Sequence, residues 1–187
     1  MRSVMKKSVA YKEMVCAPSV ILQTVCEPVK EITQEIKDLA HHMFEVMYAT
    51  DGCGLAAPQI GKNIRLVVID CEWGEGSRKK PYVLVNPKIV VADEADRSMS
   101  EGCLSYPGIL VPVKRPSHVI CEALNLDGDL IRYEARGNLL AACLQHECDH
   151  LQGVTIPDHL PLHKKMEKLE EYKHALEAGA RPGEVEI

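Results

Sequence analysis

The sequence predicts an α+β fold: a single domain in which antiparallel strands pack around a central helix, with an amphipathic helix before them and a C-terminal helix after. Three observations predict it. Apolar residues recur at helical spacing between Thr33 and Thr50, β-branched residues concentrate between residues 82 and 135, and two further helical segments with clear start and stop signals follow. Helix, strands, helix, helix is the order of an α+β domain. With 187 residues and no repeat, low-complexity stretch or Pro/Gly/Ser-rich linker, the chain is expected to be one domain over 1–187, its first ten or so residues flexible and 179–187 a tail.

Taken in order, the first helix is marked by Ile36, Leu39, Ala40, Met43, Phe44 and Met47, with Thr33 as its N-cap. A glycine-rich stretch from Asp51 to Gly61 reads as a loop, and Leu66-Val67-Val68-Ile69-Asp70 as a buried strand. Strand-like runs then begin at Tyr82, Lys88, Val119 and Leu130, and Asp127-Gly128 between the last two signals an antiparallel hairpin. Asn138 caps a helix from about Leu139 to Gln152, which Gly153 and Pro157 stop. Pro161 opens the last helix, to about Ala178, whose four lysines and four glutamates make a solvated face.

Composition narrows the function. Twenty-two basic against 27 acidic side chains leave a formal net charge of −5, without the basic footprint that DNA binding needs. No apolar run reaches the ~18 residues that would span a membrane. Eight cysteines are scattered with no Cys-x-x-Cys pair, which reads as reduced thiols in the cytoplasm. The basic N-terminus is followed by a stretch too broken by charge for a signal-peptide core, so no export is expected.

The most specific segment is Gln145-His146-Glu147-Cys148-Asp149-His150. Residues four apart share a helical face, so His146 and His150 can grip one metal ion while Glu147 reaches a water on it. The bland alternative is a solvated histidine pair. Against it, the opposite face of the same helix, Leu140, Leu144, Cys148 and Leu151, is apolar, so imidazoles and core diverge. A catalytic ion usually takes a third protein ligand. A metzincin-like extension would place a histidine where Ile156 stands, and His159 and His163 are near misses. Cys103, in Glu101-Gly102-Cys103-Leu104-Ser105, is the alternative donor, since a thiolate suits Fe(II) or Zn(II). For Cys16, Cys26, Cys71, Cys121 and Cys148 the plain reading is a small buried hydrophobe.

Together with Gly52-Cys53-Gly54-Leu55-Ala56-Ala57-Pro58-Gln59, these two segments, in this order across residues 52–150, resemble the three signature motifs of the peptide deformylase family. The resemblance implies an enzyme that removes the N-formyl group from the formylmethionine of newly made proteins. It implies Cys103, His146 and His150 as ligands of one divalent ion, Fe(II) foremost, with Zn(II), Ni(II) or Co(II) able to replace it. Glu147 becomes general base and acid, and Gln59 and the Leu104 N–H become oxyanion donors. Gly52, Cys53 and Gly54 would line the edge that pairs with the peptide, and helical periodicity puts Leu139, Ala142 and Cys143 on the His146 face as an apolar slot for methionine. N-formylmethionyl nascent peptides are the implied partners, and the ribosome a further one, with the C-terminal helix as its candidate surface. One departure stands out: Leu110 occupies the position where many members carry an arginine, and Lys114 and Arg115 come later. The competing readings are a zincin-type peptidase with a ligand beyond residue 153 and a non-catalytic, metal-stabilised module.

Overall fold

The computed structural model describes residues 5–74 and 79–185, the side chain of Glu94 excepted; residues 1–4 and 186–187, part of the segments expected to be flexible or tail-like, lie outside the described residues. A short helix, α1 (Lys7–Glu13), packs through the fully buried Ala10 on α2 (Gln34–Ala49). Sequence periodicity does not reveal α1, because one buried position makes no stripe. The stripe of α2 is plain, with Ala40, Met43, Val46 and Met47 all at 0% exposure. Burying each of its two methionines is worth roughly 1.5–3 kcal/mol. Thr33 holds the extended N-cap conformation, yet its side chain makes no capping hydrogen bond.

Five strands follow among the described residues: β1 (Gly54–Ala56), β2 (Leu66–Ile69), β3 (Tyr82–Cys103), β4 (Tyr106–Leu124) and β5 (Leu130–Arg136). They form one antiparallel sheet in the order of the chain, so β1 is an edge. The glycine-rich stretch, expected as a loop, instead supplies β1, which pairs Gly54 with Ile69, and then a 3-10 turn over Ala57–Ile60 with Pro58 near its start. Its ladder partner lies more than ten residues downstream, so no local pattern announces it. The separate short strands expected at Tyr82, Lys88 and Val119 belong to two long ones, bent by register shifts, the first between Val85 and Lys88, where Pro87 cannot donate to a ladder, while the run from Leu130 is a short strand as expected. Asp127-Gly128 does close the β4–β5 hairpin, with Gly128 at φ 88° and Leu124 opposite Leu130.

Two helices complete the fold. In α3 (Leu139–His150), the Asn138 side chain accepts a hydrogen bond from the Ala141 N–H at 2.9 Å, the expected cap. Leu144 and Leu151 anchor its apolar side, together with Val119, Cys121 and Ala135 of the sheet. The last helix, α4 (Leu162–Glu177), lies on β4 and is mostly exposed; its buried Tyr172 donates to the Ala17 carbonyl at 2.8 Å. The α+β class and the central position of α3 are as the sequence predicts. Among the described residues, no helix is long and apolar enough to cross a membrane.

Candidate active site

The tight β3–β4 hairpin brings Cys103, the last residue of β3, against the inward face of α3. Its Sγ lies 3.3 Å from His150 Nε2, and the rings of His146 and His150, one turn apart, have centroids 5.0 Å apart. One ligand atom from each of Cys103, His146 and His150 falls within 4.8 Å of the other two. Cys103 and His150 are buried and His146 is nearly so. A thiolate and two imidazoles are a donor set suited to Fe(II) or Zn(II), and three protein ligands leave a position open. The residues therefore fit one divalent ion.

A chain of charges supports this set. Glu101 Oε2 accepts from His146 Nδ1 at 2.9 Å, which directs the other ring nitrogen, Nε2, into the site. Arg115 clamps the same carboxylate, Nε to Oε1 at 2.5 Å and Nη2 to Oε2 at 3.0 Å, and its Nη1 reaches Asp149 at 2.8 Å. His159, a near miss as third ligand, instead meets Asp149 at 2.8 Å and stays outside the cluster. Neither Glu101, Arg115 nor Asp149 was singled out by sequence reasoning for such a role. One signal lies in the sequence: Ile109, Val111 and Val113 keep a period of two that puts Arg115 on their side of the strand, and the structure buries that side, where an arginine needs a counter-charge.

The electrostatics follow from this packing. Burial opposes the Cys103 thiolate, but the charge of His150 and hydrogen bonds from His146 and His150 outweigh it and bring the thiol down to about 5. Glu101, penalised by burial, is still held at about 2 by its bonds to His146 and Arg115. Glu147 goes the other way. Only 4% exposed, and with no hydrogen-bond partner for Oε2 among the described residues, it is pushed by burial up to about 7.

These groups face a cleft of about 280 Å³. Of the residues singled out from the sequence, Gly52, Cys53, Gly54, Gln59, Cys103, Leu104, Leu139, Ala142, Cys143, His146 and Glu147 all line it, while His150 sits behind them, 1% exposed. Gln59 is buried too; its Oε1 accepts from the Ala56 N–H at 2.9 Å, and its Nε2 donates to Ser105 Oγ at 3.2 Å and toward Cys103 Sγ at 3.6 Å. Its amide hydrogens therefore point to the ligand cluster. A Cβ at Gly54 would stand 2.4 Å from Glu147 Oε1, so the missing side chain makes room for this carboxylate. At Gly52 the same space is taken by Leu104 Cδ1, 2.8 Å from where a Cβ would be. Leu110, Met99 and residues 183–185 form the remaining wall.

Residues 11–166 match the family model described as polypeptide deformylase. The peptide deformylase of Acinetobacter baumannii (strain SDF) is 47% identical over 143 residues, covering 76% of this chain and 79% of that one. That of Rhodopseudomonas palustris (strain TIE-1) is 39% identical over 173 residues, 92% of this chain and 98% of the other. Among solved structures, a peptide deformylase from Legionella pneumophila superposes with a TM-score of 0.80 at 36% identity, covering 89% of this chain and 96% of that one. One from Synechococcus elongatus in complex with actinonin gives 0.80 at 37%, covering 88% and 89%.

Proposed function

The chain belongs to the polypeptide deformylase family, and from that premise we propose that it hydrolyses the N-formyl group of formylmethionyl peptides to formate and a free amine. The observation that carries this reading is the convergence of Cys103 on His146 and His150 beside a buried Glu147 whose Oε2 has no hydrogen-bond partner among the described residues. Cys103, His146 and His150 would hold one divalent ion; Fe(II) is our choice for the resident metal, with Zn(II), Ni(II) and Co(II) as substitutes. Bound there, such an ion would polarise the formyl carbonyl and supply a nucleophile from water at neutral pH.

The chain's own residues do the rest. Glu147, whose proton affinity burial raises, takes a proton as water attacks and returns it to the leaving amine. Gln59 Nε2 and the Leu104 N–H stabilise the oxyanion as it forms; losing one such donor typically costs about 2.7–4 kcal/mol of barrier. Glu101 keeps His146 oriented. Leu139, Ala142 and Cys143 floor an apolar slot for the methionine side chain, and the segment Gly52–Gly54, which leads into the edge strand β1, offers main chain to an extended peptide.

A zincin-type peptidase is disfavoured, because His159 is engaged with Asp149. Such substrates emerge at the ribosome in the cytoplasm, where we place the enzyme, and the exposed face of α4 is our candidate for docking there. The deciding assay compares formate release from a formyl-Met tripeptide with cleavage of its unformylated counterpart. Formate from the first and no peptide-bond cleavage of the second is the expected outcome; peptide-bond cleavage in the unformylated peptide would overturn the reading.

A further inference from the structure

A second group of three ligating side chains stands beside the first. Cys53 precedes β1, Cys71 follows β2, and Cys143 lies on the cleft face of α3. The end of the β1–β2 ladder, where the Asp70 N–H donates to the Cys53 carbonyl at 2.9 Å, sets the first two near each other across the strands. Packing of α3 on β1 adds the third: Cys143 Sγ is 4.0 Å from Cys53 Sγ and 3.8 Å from the Cys53 carbonyl oxygen. All three sulfurs fall within 4.8 Å of one another, and Cys53 and Cys71 are partly exposed, so an ion has access.

With a metal–sulfur distance of about 2.3 Å, three sulfurs in a plane around one ion stand about 4.0 Å apart, so little movement separates this arrangement from a trigonal site. A set of sulfurs alone favours thiophilic ions such as Zn(II) or Cu(I) over the harder divalent ions. We propose that Cys53, Cys71 and Cys143 form a second, soft-metal site. Binding would release the thiol protons to solvent and form metal–thiolate bonds, with no redox step. The ion would also be inhibitory, a consequence that rests on the function proposed above: Cys143 floors the cleft, and its sulfur and a Glu147 oxygen crowd the same space above Gly54, 2.7 and 2.4 Å from where a Cβ would stand. A cation there would hold the Glu147 carboxylate and fill the slot meant for the methionine side chain.

The test uses the nickel-loaded holoenzyme with its thiols reduced, titrated with Cd(II) under exclusion of air. One cadmium per chain should bind beyond the retained nickel, with a sulfur-to-cadmium charge-transfer band, and deformylation should slow at least tenfold at saturation. Cys71→Ser, outside the catalytic cleft, should keep nickel and basal activity, lose the band and resist cadmium; Cys71→Ala repeats the test without a hydroxyl. Cadmium that displaces nickel one for one, fails to bind, or binds both variants as it does the unaltered chain would overturn the site. A band that appears and disappears as expected with no change in turnover would uphold the site and remove only the inhibition. Absence of deformylation in the cadmium-free enzyme would instead strike the proposed function and leave the metal count to decide the site.

Discussion

Two three-ligand clusters flank one cleft, and they are held in opposite ways. Cys103, His146 and His150 are backed by fixed charge, since Glu101 grips His146 and Arg115 grips Glu101 and Asp149. Cys53, Cys71 and Cys143 are instead set among apolar side chains, main chain and each other's sulfurs, with the Glu147 carboxyl beside Cys143. The consequence is a difference in readiness. Cys103 is brought down to about 5 despite burial, the direction that favours the thiolate a metal takes. Cys143 is pushed far up by its hydrogen bonds with Cys53 and Cys71 and by burial; Cys71, though its contact with Cys143 lowers it, ends up above the usual range through Cys53 and burial; Cys53 is lowered by its hydrogen bonds with Cys143 and Cys71. One cluster has its charge state prepared by the fold, and the other must have protons displaced by whatever binds it.

Removing one sulfur from each cluster is the sharpest way to break this comparison. Cys103→Ala should empty the first site, with metal content and deformylation both falling to background, while Cys71→Ser should leave both in place. Metal analysis and formate release on the same preparations decide it. A Cys103→Ala protein that keeps its metal would mean that the prepared thiolate is not a ligand. His159→Ala is the companion control and should change little, because that ring serves Asp149.

Next in size is Glu147→Ala, for which metal content should persist and turnover fall by roughly 10²–10⁴-fold, the usual worth of a positioned acid–base group. Its titration has a sign that can be checked. Burial raises this carboxyl in the folded chain to about 7, so the folded state binds more protons than the unfolded one between the ordinary carboxylate range and about 7. That contribution to stability is full below the unfolded value and lost as pH rises through about 7. Metal-free Glu147→Gln should therefore melt higher than the metal-free parent above pH 7, with the gap closing in acid. A bound dication lowers the value, so the acid limb of kcat/KM should lie at or below about 7; a limb well above it would contradict the assignment of Glu147 as base.

Glu101→Gln tests the charged support itself. Loss of such a partner typically weakens metal affinity by about 10–100-fold, and it leaves the Arg115 guanidinium, 7% exposed, short of a counter-charge. Because Glu101 is held at about 2, its pairing is complete above the ordinary carboxylate range and lost only as pH falls toward 2. The variant and the parent should thus differ at neutral pH and converge in strong acid, as read from thermal melts. Equal metal affinity in the two would show that the network positions nothing.

The parts of this design that sequence reveals are those with local signals. Ala40, Met43 and Met47 mark α2 by their period, Asn138 marks the start of α3 by its cap, and His146 and His150 mark by their spacing the helical face that meets Cys103. What stays hidden depends on pairing between distant segments. Gly54–Ala56 is a strand only because Val67–Ile69 lies across from it, and Glu101 meets Arg115 only through a β3–β4 register shifted by several irregularities. The cysteine cluster is hidden for the same reason: residues 53, 71 and 143 share no motif, and a ladder end and a crossing helix bring them together.

The smallest effect concerns the rim that neither cluster reaches. Leu110 lines the cleft on β4, where the family resemblance suggests an arginine, with its Cδ2 3.5 Å from where a Gly102 Cβ would stand. Arg115 cannot stand in for that arginine, since Glu101 and Asp149 occupy its donors, and Lys114 is an exposed residue that does not line the cleft. The peptide main chain therefore meets an apolar wall at this point. Leu110→Arg should add a charge-assisted hydrogen bond to a peptide carbonyl at a partly exposed position, worth about 1 kcal/mol or less once screened by solvent. Such a contact is made equally in ground and transition states, so KM should fall several-fold while kcat holds. Metal content should not change, because the new guanidinium lies outside the Glu101 and Arg115 network. A drop in kcat with loss of metal would show instead that the arginine had invaded that network and competed for Glu101, making the rim and the prepared cluster one electrostatic unit.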